Sequence, residues 1–330
     1  MSFRRFLLIS ASLFATAGIL SATQDVTTMT TNLVTGSPSS AEGYTFNNDP
    51  LQVSTFSTST NTYEVTSGAD NVFIRRNAVN NNQSSVWYTT SGVGTDLSGV
   101  HYTDYGQMLH SNNLFGGSDN TFANGTINSS GNIERIDFTW NLGITVTNAF
   151  AFAVFDRGAV NVHDSFAIAA VTAIDAFGNP TAFGTLLKVA AGWGSANPMA
   201  DFNYRLFRYA NGDNITAATD STGLGAQGIG GIVITAADLG LVNGQTVYGY
   251  ALMAADVTAT NSTDMLDWTN SVFYPTTTDG NTGGGGIDLA AINGLAFAAI
   301  PEPVSTSVLV AFIFLTIVAS YRKQRSRARS

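Results

Sequence analysis

Apolar residues recur along the middle of the chain with a period of two. Ile136, Phe138 and Trp140 alternate with Asp137 and Thr139, and Phe150, Phe152 and Val154 alternate with alanines. That spacing predicts strands with one buried face. Phe166 with Ile168, Tyr63 with Val65, and Val86 with Tyr88 extend the pattern, and Thr246–Met253 is apolar on both faces, as a central strand would be. Asn124-Gly125, Asn211-Gly212, Asn243-Gly244, Asp279-Gly280 and Asn293-Gly294 punctuate the runs as turn signals. The one helical hint is Thr235-Ala236-Ala237-Asp238-Leu239, where Thr235 is placed to cap and Asp238 to sit at N3. Many short strands with regular turns predict an all-β fold, a single jelly-roll-like β-sandwich over residues 23–299. Gly283–Gly286 is the one linker candidate, before a last strand at Ile287–Ile292 or Leu295–Ile300.

Two uncharged, mainly apolar runs break this pattern, one at each end. Phe6–Leu20 follows Arg4 and Arg5 and leads into small residues, at Ala15-Thr16-Ala17 and Leu20-Ser21-Ala22. This is the layout of a secretory signal peptide, residues 1–22, with cleavage expected after Ala22 because that leaves the longer apolar core. Val304–Tyr321 is an 18-residue run without charge, which as a helix spans roughly 27 Å, close to the hydrocarbon thickness of a bilayer. Arg322, Lys323, Arg325, Arg327 and Arg329 follow it, a basic cluster expected to stay cytoplasmic and stop transfer.

Charge sharpens this division. The net charge of −9 hides a middle of seven basic and 22 acidic residues between Thr23 and Ile300, flanked by positive ends. The net charge of −9 argues against nucleic acid as a partner. The absence of cysteine excludes a disulfide scaffold, thiolate metal sites and a cysteine nucleophile.

Directly before the second apolar run stands Pro301-Glu302-Pro303, held extended and outside secondary structure by its prolines. The order tripeptide, apolar helix, Arg-rich tail over residues 300–330 resembles the PEP-CTERM sorting signal of bacteria that carry an exosortase. Ile300 stands where the family usually has valine. The resemblance implies export, an inner-membrane intermediate, and processing at the tag by exosortase after signal peptidase has acted. Release to the cell surface or the extracellular matrix follows, often beside extracellular polysaccharide in biofilms. Pro301, Glu302 and Pro303 are then recognition residues and not catalytic ones. Phe155-Asp156-Arg157-Gly158, Tyr248-Gly249-Tyr250 with Asp256, and Phe273-Tyr274-Pro275 before the Gly-rich 279–288 stretch also resemble exported proteins of this class, which carry no activity to transfer.

Catalytic chemistry is sparse. His101, His110 and His163 are the only imidazoles, and adjacent residues in His163-Asp164-Ser165 point to opposite faces of a strand and cannot form a relay. No nucleophile elbow, zinc motif or phosphate-cradling loop is present, so no enzyme activity and no required cofactor are expected. Oxygen-rich loops at Asn47–Asp49, Gly117–Asn120 and Asn211–Asn214 make Asp119 and Asp213 weak candidates for Ca²⁺. Arg135 beside Glu134, and Arg157 beside Asp156, suggest structural pairs. Among Trp87, Trp140, Trp193 and Trp268, Trp193 lies between two glycines on an expected loop and is the candidate glycan contact. Three readings follow: a non-enzymatic surface or matrix protein, a carbohydrate-binding β-sandwich using exposed aromatics or Ca²⁺, and, more distantly, a secreted hydrolase.

Overall fold

The computed structural model describes residues 23–77, 83–90, 96–124, 133–210, 212–278 and 286–301. The expected signal peptide, Glu302, Pro303, the 304–321 run and the basic tail lie outside the described residues, as do parts of the 283–286 linker candidate and of the Asn124-Gly125, Asn211-Gly212 and Asp279-Gly280 turns.

The described chain is nearly all β. The largest sheet has eleven strands, in the order β18 (Ala290–Ala291), β10 (Asn113–Ser118), β8 (Ser84–Thr89), β15 (Phe202–Tyr209), β16 (Asp220–Thr235), β12 (Phe150–Gly158), β19 (Leu295–Ala299), β6 (Thr62–Gly68), β5 (Leu51–Ser57) and β2 (Thr28–Leu33), with β1 (Gln24–Asp25) also pairing β16. The second sheet runs β14 (Pro180–Val189), β13 (Phe166–Ile174), β17 (Thr246–Ala254), β11 (Ile133–Thr145) and β7 (Asn71–Arg76). The third is small: β3 (Ser39–Ala41), β4 (Tyr44–Phe46) and β9 (Asp96–Leu97). Every pairing is antiparallel except β4 with β9.

The alternation explains what faces inward. Ile136, Phe138 and Trp140 of β11, Phe152 and Val154 of β12, and Tyr250 and Leu252 of β17 form one core between the two larger sheets. Phe152 meets Tyr250 with ring centroids 4.6 Å apart, and Phe138 meets Tyr250 at 5.0 Å. This layering is compatible with a β-sandwich. β17 is central, between β13 and β11, as its two apolar faces predict.

Two further cores lie beyond the first. Ala151, Ala153 and Phe155, on the reverse face of β12, pack with Phe56, Trp87, Leu206 and Phe297. The Leu51 N–H of β5 donates to Asn113 Oδ1 of β10 at 3.3 Å, so strands near opposite ends of the large sheet approach and the sheet wraps this second core. A third cluster, with Phe183, Met253, Met265 and Tyr274, lies on the reverse face of the second sheet under α2 (Ser262–Leu266).

The helices are single turns. α1 (Tyr105–Leu109) is capped by Asp104 and α2 by Asn261, each side chain accepting a backbone N–H three residues on. The helical hint at Thr235 produces its capping bonds, with Thr235 N–H donating to Asp238 Oδ2 at 2.8 Å, but the segment is a turn and no helix follows. The last strand is β19, the second of the two expected positions.

Candidate functional site

A buried polar cluster gathers at the end of β12. Arg157 Nη2 donates to Asp119 Oδ1 at 2.7 Å and Asp288 Oδ2 at 2.6 Å, and Nη1 reaches Gln227 Oε1 at 2.5 Å. Its guanidinium lies 3.7 Å from the centroid of the Tyr204 ring. Asp156, the neighbouring residue, turns the other way: Oδ1 accepts Asp288 N–H at 2.7 Å, and Oδ2 lies 3.2 Å from His163 Nδ1 and accepts Asp164 N–H at 3.1 Å. The sequence neighbours Asp156 and Arg157 therefore do not pair with each other. They clamp the segment around Asp288 from two sides.

Burial sets the electrostatics of this junction. It disfavours the Arg157 charge, and the Asp288 and Asp119 carboxylates outweigh it and raise the guanidinium's pKa. Burial, reinforced by Asp119 and Asp156, holds the Asp288 carboxyl well above the usual range despite Arg157. Burial also lifts Asp119, against the pull of Arg157. Asp164 is pushed up to about 6 by burial and then by the Asp156 charge.

His163 is fully buried, neither a surface nor a capping residue. Its ring stacks on Trp193 at a centroid separation of 4.7 Å. Glycines press on it: a Cβ added at Gly230 would lie 2.0 Å from Nε2, and one at Gly194 2.2 Å from Cδ2. Nε2 has no hydrogen-bond partner among the described residues, and backbone occupies the space a substrate would need. The His163–Asp156 pair thus has the residue types of a catalytic dyad without the access one requires.

Trp193 corrects an expectation. It does sit on a loop between glycines of positive φ, but it is only 7% exposed, and its Nε1–H donates to the Asp164 carbonyl at 2.7 Å. The indole is mostly a core group, and little of it is left to meet a sugar. Trp87 and Trp140 are likewise buried, and Trp268 is half-buried. The Ca²⁺ candidates are corrected in the same way. Asp119 faces Arg157, and Asp213 Oδ1 accepts from Arg76 Nε at 2.9 Å, so a guanidinium already stands where each carboxylate would meet a cation. Among the described residues, no group of three or more His, Asp or Glu side chains is arranged to hold a metal ion. The remaining histidines also have structural partners: His101 Nε2 lies 3.3 Å from Glu42 Oε2, and His110 Nε2 meets the Ala69 carbonyl.

A second acidic pair went unforeseen. Arg135 pairs with Asp137, at 2.6 Å, and not with adjacent Glu134. Glu134 is 5% exposed, and its Oε1 has no partner among the described residues. Burial, then the charge of Asp256, pushes its carboxyl up to about 8. Asp256 accepts Thr278 Oγ1–H on Oδ2 at 2.8 Å, while its buried Oδ1 has no partner, and burial raises its pKa as well. The two residues lie far apart in sequence, and no local motif joins them. The only signal for the pair is a carboxylate placed on the core-facing side of a strand.

A groove of about 440 Å³ runs along one flank, lined by Thr23, Lys188, Gly192, Trp193 and Asp238.

The class defined by this architecture is an all-β protein of mainly antiparallel sheets. No family model and no curated protein matches the chain. Among solved structures, T=1 particles derived from infectious bursal virus align over 92% of this chain and 85% of the viral chain, at 12% identity and a TM-score of 0.10. The VP2 subviral particle of infectious bursal disease virus aligns over 92% and 88%, with the same identity and score. Scores this low carry no argument about fold or function.

Proposed function

We propose that the chain is an exported, non-enzymatic surface or matrix protein, sorted by exosortase through residues 300–330. In this reading residues 1–22 are a signal peptide, 23–299 a single jelly-roll-like β-sandwich ectodomain, and 304–321 a membrane-spanning helix. The observation that carries it is the order of Pro301-Glu302-Pro303, an 18-residue apolar run and five basic residues. β1 starts at Gln24, two residues after the expected cleavage point, and is tied down at once by Gly194 N–H and Ser195 N–H donating to Asp25 at 3.0 and 2.9 Å. β19 ends at Ala299, and Pro301 is already exposed. The His163–Asp156 pair, sealed by glycine backbone, favours a structural role over catalysis.

The test is deletion of Pro301–Ser330 in the native host. The full chain is expected in the membrane fraction and then at the surface, and the truncated chain in the soluble exported fraction. Unchanged fractionation would overturn the sorting reading.

The second reading is a carbohydrate-binding β-sandwich, whose place would be the 440 Å³ groove lined by Lys188 and Asp238. Retention on a glycan array that disappears in the Lys188→Ala, Asp238→Ala double variant would support it, and no retention with or without Ca²⁺ would remove it.

A further inference from the structure

The carboxylates with buried oxygens differ in what they face. Asp119, Asp137, Asp156 and the half-buried Asp288 each meet an arginine or histidine within 3.2 Å, and Glu42 lies 3.3 Å from His101. Glu134 and Asp256 make no ion pair among the described residues, and each keeps one buried oxygen, Oε1 and Oδ1, without a hydrogen-bond partner. A buried carboxylate oxygen with no donor is costly, and two in one corner cost more, because their charges repel.

Their placement makes one site of them. Glu134 is the second residue of β11, and the register that pairs Arg135 with Met253 sets it opposite Ala254, the last residue of β17. Asp256 follows two residues later, in the turn after β17; its charge acts on Glu134, and that of Lys188 acts on Asp256 from the other side. The corner is built and not loose. Thr278 Oγ1 holds Asp256 Oδ2 at 2.8 Å and also reaches the Pro275 carbonyl at 3.0 Å, while Asn124 N–H donates to the Thr278 carbonyl at 2.7 Å. Glu134 is more than nine-tenths buried, so its bare oxygen is not simply hydrated surface.

From this geometry we propose that Glu134 Oε1 and Asp256 Oδ1 are the carboxylate ligands of a divalent-cation site, with Ca²⁺ as its ion. Among the described residues, the donors named at this corner are hard oxygens: two carboxylates, a threonine hydroxyl and main-chain carbonyls. There is no imidazole or thiolate to favour zinc or copper. The ion supplies the positive charge that Arg157 supplies at the β12 junction. Lying at the end of β11 and β17, it ties the second sheet to the 275–278 loop.

The test is calorimetric titration of CaCl₂ into the chelator-treated full chain in detergent micelles, with thermal unfolding followed on the same samples. Wild type is expected to bind one Ca²⁺ per chain with a saturable rise in Tm. Glu134→Gln and Asp256→Asn, which keep size and shape, are expected to weaken binding at least tenfold, with folding checked by circular dichroism. Should one variant fail to fold, the other carries the test. Asp213→Asn, at a carboxylate paired with Arg76, is expected to bind as wild type does. The proposal is overturned if wild type shows neither heat nor a Tm shift with Ca²⁺, Mg²⁺ or Mn²⁺, since the two carboxylates would then share a proton. It is overturned equally if binding survives unchanged in both Glu134→Gln and Asp256→Asn, since the ion would lie elsewhere.

Discussion

Between Gly192 (φ +92°) and Gly194 (φ +77°), Trp193 takes a backbone path that only glycine neighbours allow without strain. The glycines made a loop legible, and the loop is there. What they did not reveal is that the loop folds its indole inward onto His163, because that contact depends on a residue thirty positions earlier. Trp193→Ala is therefore expected to cost about 3–5 kcal/mol of stability, as truncation of a buried tryptophan does, read as a lower urea midpoint with an unchanged m-value. Glu134 makes a prediction of opposite sign. Its folded pKa of about 8 lies above the unfolded value of about 4.3. Between those two pH values the folded state holds the extra proton, so stability falls as pH rises through the window. In chelator, wild-type Tm is expected to decline from pH 5 to pH 8, while Glu134→Gln, which has no proton to lose, shows a flatter profile and a higher Tm at pH 7.5.

At the scale of elements, the strands named from alternation are present: Ile136–Trp140 lies in β11, Phe150–Val154 in β12, and Tyr63 with Val65 in β6. β12 shows where alternation stops being informative. All nine of its residues are buried, because the large sheet curls and covers the alanine face as well. The short helices α1 and α2 were not legible, since five residues carry no measurable periodicity and their Asp104 and Asn261 caps look like ordinary turn residues. The Thr235 cap formed without a helix because the chain turns out again at Gly240, φ +66°. The Arg157 side chain ties β12 to the residue after β10, to the segment leading into β18 and to Gln227 of β16. Arg157→Leu is expected to cost about 3–5 kcal/mol, measured by urea unfolding, because it leaves the Asp119 and Asp288 carboxyls without their cation.

Over the whole molecule, the chain closes its largest sheet with its last described strand. β19 sits between β12 and β6, with Phe297 opposite both Ala151 and Val65. Residues 23–300 are expected to unfold cooperatively with a near-native Tm, whereas residues 23–294 lose a central strand and are expected to show no cooperative melt by circular dichroism. A cut that frees the domain from residues 302–330 without harming it must therefore fall beyond Ala299. The all-β class was legible in the sequence, because period-two burial is a local quantity. Tertiary structure decided which charges meet: Arg157 with Asp119 and Asp288, Arg76 with Asp213, and Arg135 with Asp137 in place of its neighbour Glu134. Strand order sets those meetings. It arises from which faces can be buried together across hundreds of residues, and no local pattern records it.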